Sequence, residues 1–280
     1  MANTAVEWCP FCRDTKNLFK LWKGMTEKFI TFVGYGEYLE TMDAVTKHKL
    51  IEWAEKYNDP QYFQEDPIAF PTHFARKYQN GQACLQDVEI SALLAAHLAW
   101  GRRAMIVRDC NRMFDQMEWR PYDYVMAGEY RDDQVSMHRT IKWCDFAGIC
   151  ARLRDLYSRI ESLESMTDSQ LRVLVYGQKE DRKAPNKKIC MMRRWMVRDD
   201  GKVDLGLWTN SDKKNLVIPL DVHVYTQATE LGLTCRKPKD IVTALQITDA
   251  LREVFPDDPL LGDFALFGYG VTCAASSDEI

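Results

Sequence analysis

The residues able to do chemistry gather between positions 182 and 224. The stretch opens Arg182-Lys183-Ala184-Pro185-Asn186-Lys187-Lys188 and closes Ile218-Pro219-Leu220-Asp221-Val222-His223-Val224. A lysine amine becomes a nucleophile once its pKa is lowered, and a helix start among other cations pushes it that way. Lys187 occupies such a place, with Lys188, Arg193 and Arg194 nearby; Lys188 is the runner-up nucleophile. Asp221 reads as a helix N-cap, where amide hydrogens and the helix dipole hold a carboxylate ionised. His223, two residues on, is expected to point elsewhere as a structural hydrogen-bonder. Read without further context, Asp221 is only a cap and Lys187 only a solvated helix start.

The element carrying the lysines should be a helix with Asn186 as N-cap and Lys187 first, stopped by Asp199-Asp200-Gly201. At about 100° per residue, Lys187, Arg194 and Arg198 share one stripe, with Ile189, Met192 and Met196 roughly opposite. The helix is therefore expected to bury one face and offer a cationic one. From Arg182 to Arg198 there are seven basic residues and no acidic one, in a chain of net charge −4.

Pro219-Leu220-Asp221-Val222-His223, leading towards Gly232-Leu233, resembles the catalytic-aspartate segment of the helix-hairpin-helix DNA glycosylases. Those enzymes carry Pro-x-Asp-x-His at a helix start and, in bifunctional members, a lysine some tens of residues earlier. The upstream Lys187, the Asp motif and the downstream helix from Asp263 to Gly270 occur here in family order. The chain also resembles an uncharacterised bacterial family that looks like a distant relative of the archaeal 8-oxoguanine glycosylases, over roughly residues 50–271. The resemblance implies an N-glycosylase with AP-lyase activity, acting on DNA with a flipped base, an oxidised purine being the implied substrate. Lys187 would attack sugar C1′ and form a Schiff base, while Asp221 would stabilise the cation-like sugar. It implies DNA contacts from Lys188, Arg194 and Arg198, and from Trp100, Arg102 and Arg103 at a helix end near the base. No metal or other cofactor is expected, because the four-cysteine loop of some relatives is missing and only Cys273 lies there.

The family hairpin reads Leu-Pro-Gly-Val-Gly before its lysine, whereas residues 182–186 here hold no glycine. Glycines there let backbone approach a phosphate closely. Their absence, with the acidic balance, supports a second reading: a non-catalytic nucleic-acid-binding protein on the same scaffold.

At 280 residues and 46% hydrophobic content the chain can bury a substantial core. A charge of −4 gives no overall attraction to nucleic acid, so DNA would be met by a local patch. Nine cysteines in no secreted-scaffold spacing suggest a reducing compartment, and residues 1–12 lack a signal-peptide pattern, so a cytoplasmic location is expected. Cys9-Pro10-Phe11-Cys12 has the spacing of a redox pair or half a zinc site, but little room precedes it for a strand and no second pair follows. Residues 1–42 read as an extension, with a possible helix over 17–32. Residues 43–272 read as one mostly α, two-lobed glycosylase-like domain with a cleft between lobes, and 273–280 as a disordered tail.

Within that domain helices are expected over 43–57, 72–78, 87–117 (broken at Gly101), 145–163 and 239–254. A capping box is expected at Thr167 and Gln170, and Gly177 as a helix C′ residue. Residues 66–71 read as an extended, proline-bounded link, and 203–208 and 215–218 as short strands. Asp258-Pro259 should start the last helix and Gly268 with Gly270 end it. His97, on an apolar helix, reads as a hydrogen-bonded core histidine. Trp100 reads as core or base contact, and Arg102 and Arg103 as helix-end residues or DNA contacts.

Overall fold

The computed structural model describes the backbone of residues 42–277 and the side chains of 42–273; the expectations for Cys9, Cys12 and the 17–32 helix lie outside the described residues. Eleven α-helices and one two-stranded antiparallel ribbon make up the described residues, so the chain is mostly α. In chain order they are α1 (Ala44–Tyr57), α2 (Ala69–Gln79), α3 (Leu85–Leu98), α4 (Arg103–Gln116) and α5 (Pro121–Ala127). The ribbon follows as β1 (Ser136–His138) and β2 (Ile141–Lys142), then α6 (Trp143–Tyr157) and α7 (Asp168–Gln170), which runs on into a π-helical turn, Leu171–Val175. The rest are α8 (Lys187–Val197), α9 (Val222–Glu230), α10 (Ile241–Arg252) and α11 (Leu261–Ser277).

Local signals account for several helix starts. Asp43, Thr167, Asp221 and Asp240 each accept a hydrogen bond from a first-turn amide of the helix they open. Gly101, at φ +106°, sits in the break between α3 and α4, and a Cβ there would come within 2.5 Å of the Arg139 guanidinium. Gly177, at φ +62°, follows the π turn as expected of a C′ glycine.

Several expectations are corrected. Pro71 does not bound an extended link; it is the third residue of α2, where a helix needs no amide donor. α6 ends at Tyr157, six residues before Leu163, and its first turn reaches back to Trp143. The segments 203–208 and 215–218 are not strands. Instead the Leu205 and Trp208 amides donate to the carbonyls of Trp195 and Met196, satisfying the end of α8. Gly268 and Gly270 do not end α11, which continues to Ser277. Their missing side chains are contact surfaces: a Cβ on Gly268 would lie 2.3 Å from Tyr57 Cγ, and one on Gly270 3.1 Å from His223 Cβ.

Two buried apolar clusters form. The larger gathers α2, α3, α4, α6 and most of α8, around Phe74, Phe114, Trp143, Phe146 and Trp195. The smaller joins α1, α9, α10 and α11, around Leu50, Ile218, Val224, Ile247 and Ala265. α8 packs on α3 in the first, while α9 and α1 both pack on α11 in the second. Lys187 therefore starts a helix rooted in one cluster, and Asp221 starts a helix rooted in the other. Trp53 of α1 and Tyr269 of α11 stack at 3.7 Å between centroids.

Candidate functional site

α8 begins where the chain turns through Asn186, which takes a left-handed conformation at φ 45°. Its side chain does not cap the helix; the carbonyl Oδ1 accepts from Arg172 Nη1 at 3.1 Å. The turn sends both lysines towards the C-terminal end of α3. The Lys187 amine lies 3.3 Å from the Ala99 carbonyl and 3.5 Å from Asp221 Oδ2. Asp221 meanwhile accepts from the Val224 amide at 2.9 Å through Oδ1, so one oxygen caps α9 and the other faces the amine. The Lys187 side chain stays about one-third exposed and that of Asp221 is mostly covered.

The Lys188 amine goes elsewhere. It stands 3.1 Å from His97 Nδ1 and 3.5 Å from the centroid of the Tyr176 ring, whose hydroxyl donates to the Leu93 carbonyl. No carboxylate pairs with it among the described residues. Burial, and secondarily the Arg172 guanidinium, lowers its pKa to about 7. His97 is the hydrogen-bonded histidine expected, stacked on Tyr176, and burial together with the lysine pushes its pKa down to about 3. The expectation of a solvent-facing, DNA-binding Lys188 is corrected, because its amine is turned inward.

Arg194 and Arg198 require the same correction. Arg194 pairs with Asp263 at 2.6 Å and Asp204 at 3.3 Å. Arg198 is fully buried and reaches Asp204 at 2.6 Å and Asp200 and Asp258 at 2.9 Å. Both guanidiniums lie over the Phe264 ring. The stripe exists, but it faces carboxylates of the interior and cannot reach phosphate. Arg193 is likewise engaged, 2.5 Å from Asp168.

Two further acids complete the charge around the pair. Burial raises the Asp263 carboxyl to about 6, with Arg194 opposing and the negative charge of Asp221 adding to the rise. Burial also raises Asp66, opposed by Arg103 first and, more weakly, by Lys187. Asp66 and Tyr176 escaped the sequence reading: the one lay at the start of what reads as an extended link, and nothing local marks the other.

Trp100 is more than one-third exposed, not core. Its ring carries the Arg139 guanidinium at 4.3 Å and meets His138 edge-on at 5.5 Å. Its carbonyl lies 3.1 Å from His138 Nε2, and His138 Nδ1 lies 2.8 Å from the buried Asp109. The turn that presents Trp100 is thus clamped from below. Arg102 is exposed at the start of α4, while Arg103 is held to Asp66 at 3.4 Å. His223 packs edge-on against Phe267.

His97 and Tyr176 also line a cavity of about 440 Å³ with Arg152, Asp145 and Thr140. Lys187 and Asp221 are not in its wall. Among the described residues no group of His, Cys, Asp and Glu is arranged to hold a metal ion, and no helix is long and apolar enough to cross a membrane.

A family model described as protein of unknown function (DUF2400) matches residues 66–181 and 166–272, together well over half of the chain. No curated protein and no solved structure matches.

Proposed function

We propose, for a chain that belongs to the family described as protein of unknown function (DUF2400), a DNA base-excision role: an N-glycosylase with AP-lyase activity. The observation that carries this reading is the approach of the Lys187 amine to within 3.5 Å of the Asp221 carboxylate, across 34 residues of chain and from helices rooted in two different apolar clusters. A two-lobed arrangement, with the DNA strand entering between the clusters, is part of the same proposal.

In this mechanism Asp221 takes a proton from the Lys187 ammonium and passes it to the departing base, so that it faces the positive charge developing at C1′ as a carboxylate again. The freed amine attacks C1′ as the base leaves with the bonding pair and that proton; a proton then moves from the new nitrogen to O4′ as the C1′–O4′ bond breaks, and the nitrogen lone pair forms the iminium on Lys187. The target nucleotide must first leave the stack. Trp100 and Arg102, exposed on a clamped turn one and three residues beyond Ala99, would meet the strand there. The everted base is an oxidised purine by resemblance.

The test is covalent trapping. With borohydride, the protein is expected to cross-link to duplex DNA carrying an abasic site, and Lys187→Ala is expected to abolish the cross-link. Asp221→Asn should slow base release by about 100-fold or more on a lesion substrate, as removal of a transition-state charge partner does. Equal trapping by Lys187→Ala would remove the nucleophile assignment. Salt-sensitive DNA binding with no cross-link and no base release would select the non-catalytic reading, which the missing glycine pair before Lys187 and the net charge of −4 favour.

A further inference from the structure

One face of α6, from Asp145 to Arg152, forms a wall of the cavity of about 440 Å³. Thr140 from the turn of the ribbon, His97 from α3 and Tyr176 from beyond the π turn close it. Arg152 is a charged group of that wall without a counter-charge. Its Nε donates to the Val175 carbonyl at 2.7 Å, while its two terminal nitrogens meet no acceptor and no carboxylate pairs with it among the described residues. The guanidinium is seated between two glycines. A Cβ on Gly177 would lie 3.0 Å from Arg152 Cζ, and one on Gly148 3.4 Å from Nη1. Backbone thus closes on the planar group from two sides and leaves the edge with Nη1 and Nη2 unbonded. Burial lowers its pKa, as happens when a cation leaves water without a compensating carboxylate.

Two neutral donors stand in the same walls. His97 Nδ1 is taken by the Lys188 amine at 3.1 Å; with the ring proton on Nε2, that nitrogen has a hydrogen to give and no protein acceptor among the described residues. The Thr140 hydroxyl is the other. A guanidinium fork with further donors suits an anion of several oxygens. A carboxylate would satisfy the fork alone, whereas a phosphate monoester has a third oxygen for His97 or Thr140. The cavity is larger than a phosphate fills, and Ile141 and Ile149 make part of its wall apolar, so the ligand carries an organic body. Asp145 stands seven residues from Arg152, about 10 Å along the helix axis. Its Oδ2 accepts from the Lys142 amide at 2.9 Å, which leaves Oδ1 for a donor on the ligand.

We infer that this cavity is a binding site for a nucleoside monophosphate, with the phosphate on Arg152 and His97 and an amine of the base towards Asp145. A nucleotide presents those groups in that order: an anion, a sugar, and a planar base edged with hydrogen-bond donors. The site does not depend on the base-excision reading, because Lys187 and Asp221 lie outside its wall. Either can therefore fail alone: the cross-link reports on Lys187, and nucleotide binding reports on Arg152.

The experiment is isothermal titration of the full chain with adenosine monophosphate, inosine monophosphate, adenosine and inorganic phosphate. Adenosine monophosphate is expected to bind at one site, with adenosine and inorganic phosphate each weaker by about tenfold or more. Inosine monophosphate, whose base has a carbonyl in place of the amine, should also bind more weakly. Arg152→Met and Thr140→Trp, which sets a bulky ring into the cavity from an exposed turn, should each weaken the monophosphate by about tenfold or more. Arg159→Met, which removes an exposed cation just past α6, should bind it as the unaltered chain does. No saturation by millimolar adenosine monophosphate overturns the inference. So does unaltered binding in Thr140→Trp, the variant that decides the matter if melting shows Arg152→Met to be unfolded, since exposed substitutions leave the core intact. Adenosine or inorganic phosphate binding as tightly as the monophosphate overturns it, as does equal binding of the inosine compound. Loss of binding in Lys187→Ala with retention in Thr140→Trp puts the nucleotide at the lysine–aspartate pair and overturns it too.

Discussion

At the scale of single residues, Lys188 shows how burial turns a charge into a cost. Its amine has an ordinary pKa of 10.5 and is lowered to about 7 in the folded chain, chiefly by burial. The folded state therefore binds fewer protons than the unfolded state between those values, and stability rises with pH across that window. As pH falls from about 10.5 towards 7, the unfolded chain gains the proton first and folding becomes less favourable. Lys188→Met keeps a long side chain over the Tyr176 ring and removes the titration. The variant should thus gain in melting temperature relative to the unaltered chain at pH 7, and the gain should shrink steadily as pH is raised to 10. A gain independent of pH, or one that grows with pH, would mean that the amine is not depressed in the folded protein. The identity of Lys187 and Asp221 as candidates was legible because the Pro-x-Asp-x-His run and an upstream lysine are local patterns. That their side chains meet was not legible, since it depends on how α8 and α9 are seated in different clusters. Nor were the partners of Lys188, because His97 and Tyr176 lie far from it in the chain and only packing brings them together.

At the scale of elements, α8 is the helix on which the sequence misled most. Its cationic stripe at 187, 194 and 198 is a true feature of the spacing, yet spacing does not say what the stripe faces. Two of its three members face Asp204, Asp258 and Asp263, contributed by the segments after α8 and before and within α11. Caps were readable because an Asp or Thr and the amides it accepts from lie within one turn, as at Thr167 and Asp221. The end of α11 was not, because Gly268 and Gly270 serve contacts with Tyr57 and His223 instead of a turn. The carboxylate network makes Arg198 a joint between elements. Arg198→Met would leave Asp200, Asp204 and Asp258 without their shared counter-charge, and breaking a buried ion network in this way costs about 3–5 kcal/mol. Urea denaturation is expected to show that loss at pH 7, with part of it recovered at pH 4 as carboxyls protonate. A loss under about 1 kcal/mol, the range of exposed pairs, would place Arg198 at the surface after all.

At the scale of the whole molecule, the arithmetic of charge sets how DNA can be held. The chain has 37 basic and 41 acidic residues, and its basic run of seven is mostly spent internally. Arg194 and Arg198 are buried, Lys187 and Arg193 are paired with acids, and Lys188 is turned inward. Arg182, whose side chain is 93% exposed, and Lys183 remain outside on the approach to α8, and Arg102 lies exposed at the start of α4. A strand gripped by these three cations releases about three counterions, so the logarithm of the binding constant should fall with the logarithm of salt at a slope of about −3. That is shallow beside proteins that neutralise about six or more phosphates. Alanine at Arg102, Arg182 or Lys183 should each flatten the slope by about one without lowering the melting temperature, since exposed substitutions leave the core intact. Anisotropy titrations of a labelled abasic duplex across a range of salt concentrations measure this directly. A slope on the order of −6, or one that none of the three substitutions changes, would mean that phosphate is held by a different face of the molecule. The turn carrying Trp100 and the loop before Lys187 would then have no part in binding.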